Sequence, residues 1–275
     1  MRPIEEQTIL VTGATDGLGK ALAADLAGRG ATVLLHGRDE GRGRAALEEV
    51  RRATGSERLG WYRADLASLD QVRSLADQVR RDHAELHALV NNAGIGATVP
   101  GEGVRQESSD GFELRFAVNY LAGYLLARLL QPLLVSSAPA RIVNVSSLGQ
   151  APVDFDDVML THRYDGGLAY RQSKLAQILM TIDLADELAG SGVTVNALHP
   201  ATFMPTKIVP SPISTIEEGV KATARLVTDP ELDQVSGQFF NGLNQARADE
   251  QAYDPDARRK LRELSDRLTG VAEAQ

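Results

Sequence analysis

The feature that most restricts this chain is an alternation. Short, apolar, β-branched runs recur at Thr8–Thr12, Ala31–His36, Trp61–Ala64, Leu86–Val90, Arg141–Ser147, Val193–His199 and Ser236–Gly242. Between them stand stretches with helical spacing: Lys20–Ala27, Gly41–Ala53, Leu69–Arg81, Phe112–Leu134, the run through Tyr170 to Leu188, Thr215–Val227 and Asp256–Leu268. A strand, a helix and a strand in that order imply parallel pairing, because a parallel pair needs a long crossover. The helices must then cover both faces of the sheet. The predicted fold is α/β, a doubly wound parallel sheet of about seven strands in one domain spanning residues 1–275.

The first unit carries chemistry. The Thr8–Thr12 strand runs into Gly13, Ala14, Thr15, Asp16, Gly17, Leu18 and Gly19, and then into a helix. Strand, glycine-rich turn and helix form the opening of a Rossmann-type dinucleotide site. The glycines let backbone approach a pyrophosphate, and the helix N-terminus stabilises its charge. The adenosine ribose belongs at the end of the second strand. An acid there would hold both hydroxyls of NAD, but the chain has His36, Gly37 and Arg38. A guanidinium matches a 2′-phosphate, so NADP(H) is expected in preference to NAD(H), with Arg42 as a second cation. Asp39 competes with this reading, since it can pair with Arg38 or meet the ribose itself. Asp65 and Leu66 end the third strand, where a carboxylate can meet adenine or cap the next helix. Asn91, Asn92, Ala93 and Gly94 end the fourth, where small residues admit a ribose.

Tyr170 and Lys174 stand one helical turn apart, on one face of an amphipathic helix. A phenol titrates near pH ~10, and a neighbouring ammonium lowers that value. The pair then serves as proton donor and acceptor for an alcohol or ketone. Ser147 closes the fifth strand at its carboxyl end, where ligands bind in open α/β sheets. It can donate to a carbonyl oxygen beside Tyr170. A nucleophilic serine fits less well, since Val145-Ser-Ser-Leu-Gly149 is not Gly-x-Ser-x-Gly. Asn119 sits inside a long apolar helix, where it can bend the helix and hold a water. Leu148–Gly167 interrupts the alternation as a substrate-side excursion. The proline-rich stretch 201–215 reads as a lid.

Composition removes several other functions. The formal net charge of −8 opposes nucleic-acid binding. With no cysteine there are no disulfides or thiolate metal sites. His83 and His87 lack a third ligand, so no metal is expected. The N-terminus has no apolar core and no run reaches ~18 apolar residues, which predicts a cytoplasmic protein with no membrane span. Apolar residues on more than one face of the Asn119 and Tyr170 helices hint at a homodimer or homotetramer.

Together these residues resemble the short-chain dehydrogenase/reductase family, in its retinol-dehydrogenase-like and oxidoreductase-like branch, over nearly the whole chain. Thr12–Gly19 is similar to its cofactor turn, Asp65-Leu66 to its adenine pair, and Asn91–Gly94 to its motif supporting the central strand. Asn119, Ser147, Tyr170 and Lys174 match its catalytic tetrad in order. The resemblance implies an NADP(H)-dependent oxidoreductase that interconverts a carbonyl and an alcohol of a small molecule, and the Phe, Met, Val and Pro content of residues 201–214 suggests that this substrate is apolar. It implies that Lys174 holds the nicotinamide ribose and that Asn119 anchors a water relaying protons to Lys174. It puts Pro200 and either Thr202 or Thr206 at the nicotinamide carboxamide. Asp16 stands where many NADP-using members carry a basic residue. Two alternatives keep the scaffold and change the outcome: an NADPH-binding sensor or scaffold without turnover, and a carbon–carbon double-bond reductase.

Overall fold

A computed structural model describes residues 2–96, 104–202, 204–205 and 212–271. Eight strands form one sheet in the order β3-β2-β1-β4-β5-β6-β7-β8. They are β1 (Thr8–Val11), β2 (Thr32–Gly37), β3 (Leu59–Arg63), β4 (Ala88–Asn91), β5 (Ala140–Val145), β6 (Val193–His199), β7 (Phe239–Asn241) and β8 (Asn244–Ala246). The first seven run parallel, with Leu10 beside Leu34 on one flank and Leu89 on the other. The added strand, β8, pairs antiparallel with β7. It is short and polar, and lies at the sheet edge, so it carries no apolar signal in the sequence.

The order turns back at β1, where the chain crosses from one flank to the other. Such a reversal opens a crevice at the carboxyl ends of the neighbouring strands. Continuous apolar strands follow from burial on both faces. Ile9 and Val11 pack with α1 (Gly17–Gly28), α2 (Glu40–Thr54) and α6 (Ile216–Thr228). Leu10, between them, packs on the opposite side with α3 (Leu69–Asp82), α4 (Ala122–Ser136) and α5 (Gly166–Glu187). Full burial of one such leucine stabilises by roughly 1.5–3 kcal/mol. Helix propensities differ by less than ~1 kcal/mol per residue, so burial pattern decides these elements.

The helix expected over Phe112–Leu134 is two pieces. A π-helical segment, Phe116–Leu121, precedes α4. The Glu113 carboxylate accepts from Phe116 N at 2.7 Å and sets its start. Asn119 lies inside the widened turn, with its side chain bonded outside the helix. The stretch Phe116–Ser136 is long and apolar enough to cross a membrane by length and composition, and 61% of it is buried inside the protein.

A last helix, α7 (Pro255–Thr269), lies over α5 and the π-helical segment. Arg262 forms a two-pronged bond with Asp183 at 2.8 and 3.0 Å. The Tyr120 hydroxyl meets Ser265 Oγ at 2.7 Å. The chain's own α7 thus covers part of the apolar surface of these helices.

Candidate active site

The carboxyl ends of β1, β2, β4, β5 and β6 open onto one cavity of about 1060 Å³. Its lining contains Gly13, Thr15, Asp16, Gly17, Leu18 and Gly19 from the first turn, and Arg38, Asp65 and Leu66 from the next two strand ends. Asn92, Ala93 and Gly94 line it beside Ser147, Tyr170, Lys174, Pro200 and Thr202. Asn119 stands just behind this lining.

The glycine turn is clamped from β4. Gly13 adopts φ +66°, open to glycine at little cost. A Cβ on Gly19 would lie 2.3 Å from Gly13 O and 2.5 Å from Asn92 Nδ2, so no larger residue fits without movement. Asn92 Nδ2 donates to Thr12 O at 2.8 Å. Thr12 Oγ1 accepts from Asn92 N at 2.9 Å and Ala93 N at 3.0 Å. The Thr12 hydroxyl therefore joins the two cofactor motifs, a role that its place just before Gly13 could have suggested. His36 adds a second brace. Its Nδ1 accepts from Gly13 N at 3.3 Å, which leaves the ring proton on Nε2, facing Ala64 O at 3.1 Å. Burial lowers its pKa from 6.5 to about 4, so it stays neutral.

At the end of β2 the charges divide. Asp39 caps α2, accepting from Arg42 N at 2.8 Å, and forms no ion pair with Arg38. Asp16 caps α1, and its carboxylate meets Arg42 Nη2 at 3.3 Å. The guanidinium of Arg38 has no carboxylate within 4.0 Å among the described residues and faces the cavity. Asp65 does not cap α3, since Ser68 does; the Asp65 carboxylate accepts from Ala67 N at 3.0 Å.

Tyr170 and Lys174 share the inner face of α5, capped by Asp165. Ser146 Oγ donates to Lys174 O at 2.7 Å, fixing the helix against the end of β5, and leaves Ser147 to the cavity. The expected lowering of the Tyr170 phenol by Lys174 is not what the geometry produces. Burial raises that phenol, and the Ser147 hydroxyl partly offsets the rise. The ammonium lies 5.8 Å from the Tyr170 ring centre, and donates instead to Val145 O at 2.9 Å and Gln177 Oε1 at 3.0 Å. Burial lowers Lys174 itself from 10.5 to about 7.

Asn119 is engaged on both ends of its amide. Its Oδ1 accepts from Ile95 N at 2.6 Å, while Nδ2 donates to Ile95 O at 3.1 Å and Ser173 Oγ at 2.9 Å. It ties the stretch after β4 to α5, so a water there would have only its remaining oxygen lone pair. A Cβ on Gly94 would sit 3.4 Å from Asn119 Oδ1 and 3.5 Å from Lys174 Nζ, in a space that glycine keeps open. Thr202 Oγ1 meets His199 Nε2 at 3.1 Å. Thr206 lies outside the described residues. Of the other paired histidines, His83 meets the Tyr62 hydroxyl and His87 accepts from Thr8 N.

Ile95, Leu114, Val118 and Leu148 give the lining an apolar far wall, with Gln106 as a polar neighbour. Behind it stands a buried cluster that the sequence did not announce. Tyr164, from the 148–167 excursion, donates to Glu113 Oε1 at 3.0 Å and accepts from Arg115 Nη1. Arg115 Nε donates to Gly96 O at 3.0 Å. The cluster ties the excursion to the segment after Gly94.

The lining fits a nicotinamide dinucleotide on its own geometry: an open backbone turn at a helix N-terminus, an uncommitted guanidinium by the second strand, and a phenol, a hydroxyl and an amine around the space beside Gly94. Comparisons agree. The family model for short chain dehydrogenase matches residues 7–214. Human (Homo sapiens) Retinol dehydrogenase 13 is 37% identical over 98% of this chain and 86% of its own. A solved structure from Mycobacterium Paratuberculosis has a TM-score of 0.78 at 30% identity, covering 98% of this chain and 96% of that one. A short chain dehydrogenase from Shigella flexneri complexed with NADP has a TM-score of 0.70 at 26% identity, covering 87% and 98%.

Proposed function

This chain belongs to the short-chain dehydrogenase family, in its retinol-dehydrogenase-like branch, and is an NAD(P)-dependent oxidoreductase acting between CH–OH and C=O groups; from that premise we propose that it uses NADP(H) on apolar ketones, aldehydes or their alcohols, with Tyr170 as the proton-carrying group. The observation that carries this reading is the meeting of Ser147, Tyr170 and Lys174 with the 13–19 turn around one cavity.

The bound cofactor supplies hydride chemistry, and the protein supplies position and field. Ser147 Oγ donates to the substrate oxygen and stabilises the negative charge that develops there. Tyr170 passes its proton to the same oxygen in reduction, and takes it back in oxidation. Its raised pKa keeps that proton on the phenol at neutral pH, as a donor requires. Lys174 directs a buried amine toward the gap beside Gly94, where a ribose hydroxyl would lie. Asn119 holds the wall of that gap. Arg38 takes the 2′-phosphate, supported by its lack of a carboxylate partner and by NADP in the similar Shigella flexneri protein. The apolar far wall excludes water and suits a hydrocarbon-rich substrate.

Tyr170→Phe tests the proposal. NADPH binding, read by fluorescence, should survive, while carbonyl reduction falls at least ~100-fold. Undiminished turnover in that variant refutes the assignment.

A further inference from the structure

We propose that Gln177 is a positioning residue, whose side-chain oxygen holds and stabilises the Lys174 ammonium from one turn further along α5. The inference rests on the reading above, in which Lys174 serves the reaction. Lys174 is buried, and an ammonium carries three donors. Val145 O takes one at 2.9 Å and Gln177 Oε1 takes another at 3.0 Å. The third is left for the cavity beside Gly94, whose added Cβ would lie 3.5 Å from Nζ. The direction of the free donor is therefore set by the two that are held.

The hold is electrostatic as well as geometric. Each element around Nζ contributes a neutral group. Tyr170 lies on α5 itself, β5 contributes the Val145 carbonyl, the end of β4 contributes Gly94, and the π-helical segment contributes the Asn119 amide. Burial is the one cause acting on the Lys174 pKa, so no carboxylate offsets it. The two acceptors that face this ammonium are carbonyl-type dipoles, Val145 O and Gln177 Oε1. Gln177 is itself 1% exposed, so water cannot replace it readily, and its backbone carbonyl accepts from Thr181 Oγ1 at 2.7 Å. Val145 O is backbone and cannot be changed by substitution. Gln177 is the adjustable half of the pair.

The signs follow. Gln177→Leu removes an acceptor at similar volume, so Lys174 should lose its proton at lower pH, by about one unit or more. Gln177→Glu puts a carboxylate in the same place and should move the loss to higher pH by a comparable amount. The Lys174 side-chain signal can be followed by NMR against pH in the cofactor-free protein, assigned by its absence in Lys174→Met. The pH profile of kcat/KM, taken in parallel, should move its alkaline fall in the same directions. A Lys174 midpoint unmoved by both variants, or moved the same way by both, overturns the inference. If the leucine variant does not fold, the glutamate variant decides alone through the upward shift. The NMR readout needs no turnover, so it separates this inference from the mechanism: retained activity in Lys174→Met and Tyr170→Phe would defeat the mechanism even where Gln177 moved the titration as expected.

Discussion

Arg38 offers the clearest quantitative test of cofactor choice. Three arginines line the cavity: Arg38, Arg42 and Arg171. Arg42 is partly neutralised by Asp16 at 3.3 Å, and Arg171 stands beside Tyr170 at the substrate end. Asp39 is drawn off to cap α2. Arg38 therefore carries most of the positive charge at the end of β2. A guanidinium can give a phosphate two charge-assisted hydrogen bonds, each worth ~1.5–3 kcal/mol when sheltered. Arg38 is exposed, so solvent and salt reduce the pair to a total of about 1.5–3 kcal/mol. Arg38→Gln should then weaken NADPH binding by roughly 10–150-fold at low salt, and leave NADH within about 3-fold. The assay is titration calorimetry or fluorescence with both cofactors at two ionic strengths. A companion variant, Asp16→Ser, keeps a helix-capping side chain and releases Arg42, so NADPH should bind more tightly. Equal losses for NADPH and NADH in Arg38→Gln would refute the reasoning, because the residue would then act on something both cofactors share.

Two further outcomes follow from buried groups. Tyr164→Phe deletes the hydroxyl between Glu113 and Arg115, and should cost about 1–3 kcal/mol in urea unfolding while raising KM for the carbonyl substrate; unchanged stability would mean that the excursion is not anchored there. His36 should make stability depend on pH: its folded pKa of about 4 lies below the ordinary 6.5, so its contribution is present above 6.5 and is lost as pH falls from 6.5 toward 4. Urea midpoints across that window should fall less steeply in His36→Gln than in the parent protein, and parallel slopes would show that the histidine titrates normally.

The parts of the site legible in the sequence are those carried by local chemistry. The turn from Gly13 to Gly19 is recognisable because strand, glycines and helix are contiguous. Tyr170 and Lys174 are recognisable because a helix puts residues one turn apart on the same face. Thr12 went unassigned because its partners, Asn92 and Ala93, are eighty or more residues away, on a strand that only sheet formation brings alongside. The Glu113–Arg115–Tyr164 cluster was hidden for the same reason, since Tyr164 sits in a stretch without periodicity. The asparagine inside the long apolar helix allows a bend at Asn119, but the apolar pattern is the same for an α-helical and a π-helical turn and does not tell them apart. The Asn119 side chain leaves the helix only because Ile95 and Ser173 stand there to receive it.

Alternating apolar runs, through their spacing alone, determined a parallel sheet between two helical layers, and with it the edge where ligands bind. Residue chemistry determined that this edge would hold a phosphate-approaching turn, a phenol and an amine. The charge state of that phenol and amine was a tertiary decision. Desolvation depends on what packs around a group, and the same α5 sequence in water would have left Lys174 an ordinary lysine. Burial against β5 and the end of β4 instead gives a lysine near neutrality and a tyrosine that keeps its proton. The packing of α7 on α5 was decided at the same level, because an apolar helix face specifies only that something must cover it.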